Sequence, residues 1–343
     1  MKRIITILLS LLLVAGLITG CAKNNTGNGG TKNETGSGKT ESDTSSESSE
    51  ESVQESKDSV EPSEKKTVKI AYLPITHALP VFNEKELLEK GDSNIQIELV
   101  KYGSWPELLD ALNTNRVDGA SVLMELAMKS KEQGVGLKAV ALGHRDGNVI
   151  MVAYDINSAK DLKGKKFAIP HRQSSHNILL NDMLEKEGMT VDDLEVVELA
   201  PPEMPSALAT GQIAGYCVAE PFGAKAVTLG VGKALYESGE LWEDSLCCGL
   251  VLTDKFLNDD KETADKVISS YKEAGDELKT EEAERIAEEY LGQEKEVLDI
   301  SLKWISFDNL DITSETYNTL TDKIKKYGLS DNPPSFEDFV YQP

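Results

Sequence analysis

The chain opens on an almost unbroken apolar run from Ile4 to Ile18. A polar stretch without apolar periodicity follows at once and continues to about Lys66. Beyond it the pattern alternates between period two and helical spacing. Val68-Lys69-Ile70-Ala71-Tyr72-Leu73 alternates and breaks at Pro74, and a helical stretch follows around Val81 to Glu89. Ile95 to Val100 alternates again. Trp105 to Asn113 carries Leu108, Leu109 and Leu112 on one helical face. Gly119 to Val122 is a short apolar strand, Met124 to Gln133 reads as helix, and Lys138 to Leu142 as strand. This strand–helix alternation predicts an α/β fold with largely parallel sheets.

A second block begins near Asn148. Val149 to Ala153 and Phe167 to Pro170 read as strands around a turn at Asp161 to Lys166. Ser174 to Gly188 reads as a helix with Ser174 as N-cap and Gly188 at its end. Leu194 to Leu199 predicts a strand, Pro205 to Thr210 a helix, Gly215 to Ala219 a strand, and Phe222 opens another helix. Leu246 to Leu252 reads as a strand returning to the first block. From Lys261 to Tyr327 the pattern predicts helix throughout, in several pieces, with Ile300, Trp304 and Phe307 on a buried face. Leu109 to Ala120 and Ser206 to Tyr216 share one theme: helix, tight turn, short strand. Two similar α/β lobes are therefore expected, residues 67–146 with 247–343 and residues 147–246. Ligands of open α/β sheets sit outside the carboxyl ends of the strands, so the expected site is a cleft between the lobes.

The N-terminal run of about 15 residues is short for a bilayer span, which takes about 20. With Lys2 and Arg3 before it, it fits a secretory signal peptide, residues 1–20. Leu17-Ile18-Thr19-Gly20-Cys21 resembles the lipobox of bacterial lipoproteins. That resemblance implies lipidation of Cys21, with diacylglycerol on its sulfur. The Asn, Gly, Thr, Ser, Glu and Lys composition of residues 21–66 cannot bury enough surface to offset chain entropy, so a disordered tether is expected. About 45 such residues reach roughly 35–40 Å.

The formal charge of -23 argues against nucleic-acid binding, which needs a basic surface. Of four cysteines, Cys21 is assigned to the lipid. Cys217, Cys247 and Cys248 lack zinc-motif spacing and are expected to be buried free thiols, a disulfide from Cys217 to Cys247 or Cys248 being the alternative. There is no G-x-S-x-G elbow, P-loop or H-E-x-x-H, so no enzyme and no cofactor is expected. A metal site of His77, His171, His176 and Glu220 is the minor alternative.

Several segments together carry a family likeness. Ala71-Tyr72-Leu73-Pro74-Ile75-Thr76-His77-Ala78, Trp105-Pro106-Glu107-Leu108, His176-Asn177 and Tyr216-Cys217-Val218-Ala219-Glu220-Pro221-Phe222 resemble the nitrate/sulfonate/bicarbonate-type ABC transporter substrate-binding proteins, a group that also holds binders of thiamin-precursor pyrimidines. The resemblance implies a periplasmic-binding-protein type II-like fold, two lobes closing by hinge motion on a small ligand. Its implied partners are an ABC permease and ATPase, with the lipid as membrane anchor, and a monomer is expected. A lipoprotein that senses ligand without a transporter is the alternative.

Trp105, Asn148, His176 and Glu220 match that family's ligand contacts. Ser174 and Ser175 join them because they lead into a helix N-terminus, whose free N–H groups attract an oxygen. Thr76 and His77 join them at the carboxyl end of the first strand. Glu125, which opens a helix, is a weaker candidate. One departure matters. The family's lysine after the long helix has no counterpart in Leu246-Cys247-Cys248-Gly249, which weighs against an inorganic anion and leaves Arg145 and Arg172 as substitutes. The ligand is expected to be a small anion or a small heterocycle.

Overall fold

The computed structural model describes residues 65–91 and 93–342. The proposed signal peptide, Cys21 and the tether up to residue 64 lie outside the described residues.

The described chain starts with β1 (Lys66–Tyr72), α1 (Leu79–Lys90), β2 (Ile95–Lys101), α2 (Trp105–Asn113), β3 (Gly119–Leu123), α3 (Met124–Glu132) and β4 (Leu137–Leu142). A crossing through β5 (Arg145–Asp146) leads to β6 (Asn148–Val152), β7 (Lys166–Ile169), α4 (Ser175–Lys186), β8 (Glu195–Glu198), α5 (Met204–Ala209), β9 (Gly215–Ala219), α6 (Phe222–Thr228), β10 (Lys233–Glu237) and α7 (Ser238–Leu241). The return supplies β11 (Cys248–Thr253), α8 (Asp254–Asp259), α9 (Lys261–Glu277), α10 (Thr280–Leu291), α11 (Lys295–Ser301), β12 (Ile305–Ser306), α12 (Ser314–Lys326) and α13 (Phe336–Phe339).

Two five-stranded sheets result, in the orders β2-β1-β3-β11-β4 and β10-β6-β9-β7-β8. β1 runs parallel to β2 and β3, and β7 parallel to β8 and β9. The sheets are nevertheless mixed, not largely parallel as the alternation predicts. β11 is antiparallel to β3 and β4, and β6 is antiparallel to β9 and β10. β6 and β11 are the first full strands after each crossing, so they enter their sheets against the direction of the βαβ strands. β3, β6, β9 and β11 are buried along their whole length, which explains their unbroken apolar sequences.

Side chains set the helix starts. Ser174 caps α4 by accepting from the Asn177 N–H at 3.3 Å, and Pro106 sits in the first turn of α2. The expectation of nothing but helical pieces from Lys261 to Tyr327 fails at β12, which pairs with β5. There the Trp304 carbonyl accepts the Gly147 N–H at 2.7 Å, so tertiary pairing satisfies backbone groups that a helix would have satisfied locally. Of the predicted buried face, Phe307 is buried, while Ile300 and Trp304 are half-buried.

Two apolar cores hold the molecule. The larger spans both sheets, and a smaller one joins α1 to α10 and α11 through Tyr72, Phe82, Ile286 and Leu298. The end of the chain ties the halves together. On α12, Lys323 pairs with Asp182 of α4 at 2.8 Å, and the neighbouring Tyr327 hydroxyl donates to Asp182 at 2.6 Å.

Candidate functional site

The strand directions bring the candidate residues to facing edges. Thr76-His77, Trp105 and Glu125 follow β1, β2 and β3 at their carboxyl ends, and His144 follows β4. Cys247 precedes the antiparallel β11 and so reaches the same edge. In the other sheet, Ser174 to His176 follow β7, Glu220 follows β9, and Asn148 opens the antiparallel β6. All eight predicted ligand-binding residues are buried.

Of these eight, His77 joins His144, Cys247 and Cys248 in one compact cluster. A ring or sulfur atom from each of His77, His144, Cys247 and Cys248 lies within 4.8 Å of the others. The His77 Nε2–H donates to the Gly147 carbonyl at 2.9 Å, which leaves Nδ1 with its lone pair facing Cys247 Sγ at 3.7 Å. Cys247 Sγ is also 3.6 Å from Asn148 Oδ1 and 3.8 Å from Cys248 Sγ. The Cys248 N–H donates to His144 Nε2 at 3.3 Å, and the two imidazoles lie 3.5 Å apart, centroid to centroid.

Burial acts strongly on this cluster. It pushes His144 down to about 4, helped by the neighbouring His77, and His176 down to about 4 as well. Burial alone would raise the Cys247 thiol. Hydrogen bonding with Cys248 and the adjacent His77 outweigh it, so Cys247 is the thiol of the pair that ionises readily. Burial, the hydrogen bond to Cys247 and its charge hold Cys248 well above the usual thiol range. Burial and the nearby Cys247 likewise raise Glu125 far above a normal carboxyl.

The surroundings are rich in buried polar atoms without a protein partner: both ring nitrogens of His176, Asn148 Nδ2, both Glu125 oxygens, Ser175 Oγ, His144 Nδ1 and Trp105 Nε1. Each unsatisfied group costs about 1–3 kcal/mol, so such a concentration is expected only where something else supplies the bonds.

Three predicted residues are occupied internally. The Thr76 hydroxyl donates to the Glu220 carbonyl at 3.0 Å. Ser174 Oγ donates to the His171 carbonyl at 2.6 Å while capping α4. The Glu220 carboxylate accepts the Ala224 N–H at 3.2 Å, and burial raises it to about 8. The His77, His171, His176 and Glu220 metal set does not assemble, because Glu220 is tied to α6 and His171 is half-buried, accepting the Gln173 N–H. Neither arginine replaces the missing lysine: Arg145 binds the Asn309 carbonyl, and Arg172 the Val196 carbonyl on the exposed side. Sequence reasoning missed His144 and the Cys247-Cys248 pair as site members. Their only sequence signal was an adjacent thiol pair beginning a strand that returns to the first block.

The NMT1-like family matches residues 61–292 of the chain. The ligand-binding component of an ABC-type import system from Staphylococcus aureus, solved with zinc bound, is 39% identical, with 81% of this chain and 97% of that chain covered and a TM-score of 0.78. The nitrate/nitrite binding protein NrtA of Nostoc is 26% identical over 202 residues, 51% of this chain and 46% of that protein. A putative aliphatic sulfonates-binding protein of Escherichia coli is 26% identical over 183 residues, 52% of this chain and 57% of that protein. The chain spans between 30% and 57% of the length of such curated relatives.

Proposed function

The chain belongs to the NMT1-like family, and from that premise we propose that it is the extracytoplasmic substrate-binding component of an ABC importer, not an enzyme. Cys21 carries the lipid anchor, the polar segment is the tether, and a permease with its ATPase receives the solute. The observation that carries this reading is the set of unpartnered polar atoms at the facing edges of the two sheets. They describe a site for a small polar solute, bound through His176, Asn148 and the Trp105 indole N–H, with His77 beside them.

Nitrate, bicarbonate and sulfonates, named for the relatives, are anions that call for a positive partner. The described residues of the cluster offer imidazole, amide, thiol and carboxyl groups and no lysine or arginine. That set suits a neutral solute or a cation better than an inorganic anion, and the zinc in the Staphylococcus aureus relative is in keeping with such donors. The test is a thermal-shift and tryptophan-fluorescence titration across anions, sulfonates, pyrimidines and divalent cations. One class is expected to give a saturable response that His176→Ala weakens. Silence across every class would contradict the proposal.

A further inference from the structure

We propose that His77, His144, Cys247 and Cys248 form a tetrahedral site for a thiophilic cation of the zinc class, and that this cation is the solute on which the two lobes close. The inference rests on reading the cleft as the solute site and names its substrate class.

The geometry carries it. With zinc–sulfur bonds of about 2.3 Å and zinc–nitrogen bonds of about 2.0 Å, a tetrahedral ion holds two sulfurs about 3.8 Å apart and a sulfur and a nitrogen about 3.5 Å apart. Cys247 Sγ lies 3.8 Å from Cys248 Sγ and 3.7 Å from His77 Nδ1. These spacings are too long for strong hydrogen bonds and match a shared central ion. Two sulfurs and two nitrogens in this arrangement are the donor set that selects zinc over magnesium or calcium, which take oxygens.

The His77 ring is also held in place from behind. The Gly147 carbonyl accepts from His77 Nε2 and so turns Nδ1 toward the sulfurs, the arrangement that orients a ligating histidine. Charge balances too: two thiols each lose a proton to solvent on binding, and two thiolates neutralise a divalent cation that could not otherwise be buried. All four donors belong to the first sheet's edge or its crossings, whereas His176 comes from the second sheet. The ion would bind the first lobe, and His176 would cover it on closure.

The experiment titrates the purified, reduced chain with Zn2+, Mg2+, nitrate and methanesulfonate, reading thermal shift and stoichiometry. It repeats the titration with Co2+, whose thiolate charge-transfer absorption reports sulfur ligation directly. One Zn2+ per chain and a Co2+–thiolate band are expected. Cys247→Ser with Cys248→Ser should weaken binding on the order of 100-fold or more and abolish the band. Cys217→Ser, which changes a buried thiol outside the cluster, should leave both intact and so controls for misfolding. Zinc binding that survives the double variant, or a Co2+ complex without the thiolate band, overturns the site. A saturable anion response with none to Zn2+ overturns the metal while leaving the receptor reading standing. Silence to every solute overturns both.

Discussion

His176 sits in the first turn of α4 with both ring nitrogens buried and unpartnered, and burial keeps the ring neutral to about pH 4. A neutral imidazole offers one donor and one acceptor, which suits a solute and is expensive to leave empty. Trp105 presents the same case, a buried indole N–H without a partner at the start of α2. Trp105→Phe removes that donor and keeps an aromatic ring. Isothermal titration with the cognate solute is expected to show a loss of about 1 kcal/mol, and unchanged affinity would place the indole in the core alone. His176 was singled out in the sequence by its match to the family's ligand contacts, at a helix start that Ser174 marks. His144 and Cys247 were not, because 103 positions separate them and only the pairing of β4 with β11 brings their strand ends together.

Elements are held by a few buried polar contacts as well as by apolar packing. On α1, Glu84 accepts the Ser270 hydroxyl of α9 at 2.8 Å, its other oxygen is unpaired, and Tyr271 lies close by. Burial raises Glu84 to about 8, against the pull of the Ser270 bond. Between its ordinary value near 4.5 and about 8, the folded state therefore binds more protons than the unfolded one, and stability falls as pH rises. Glu84→Gln should flatten that decline when unfolding midpoints are compared across the window. Identical pH profiles would contradict it. The bounds of α2 were legible because apolar spacing and Pro106 agree, and those of β9 because its residues are uniformly apolar. The strand β10 escaped because Lys233-Ala234-Leu235-Tyr236-Glu237 forms a half-buried edge, and β12 because only its pairing with β5 makes it a strand.

At the scale of the molecule, the two sheets are joined by two crossings and by α12. Asp146 and Gly147 at the first crossing both have positive φ, 57° and 78°. A Cβ on Gly147 would come within 2.7 Å of Ile305, so Gly147→Ala should lower the unfolding midpoint and weaken solute binding together. Binding weakened without loss of stability would instead assign Gly147 to the site alone. The Lys323–Asp182 pair fastens α12 to α4, with Asp182 largely buried. Lys323→Ala should enlarge the radius of gyration of the solute-free chain in small-angle scattering, and an unchanged radius would show that the pair does not hold the lobes together. The α/β class was legible from alternation. The mixed strand directions were not, because a strand's sequence reports its burial and not the side from which the chain enters the sheet. The most direct measurement of the central claim is native mass spectrometry of the chain purified from its own cells, beside the His176→Ala variant. One bound solute per wild-type chain, held more weakly by the variant, is the predicted result. A solute-free wild type that gains no mass from any candidate solute would contradict the receptor reading.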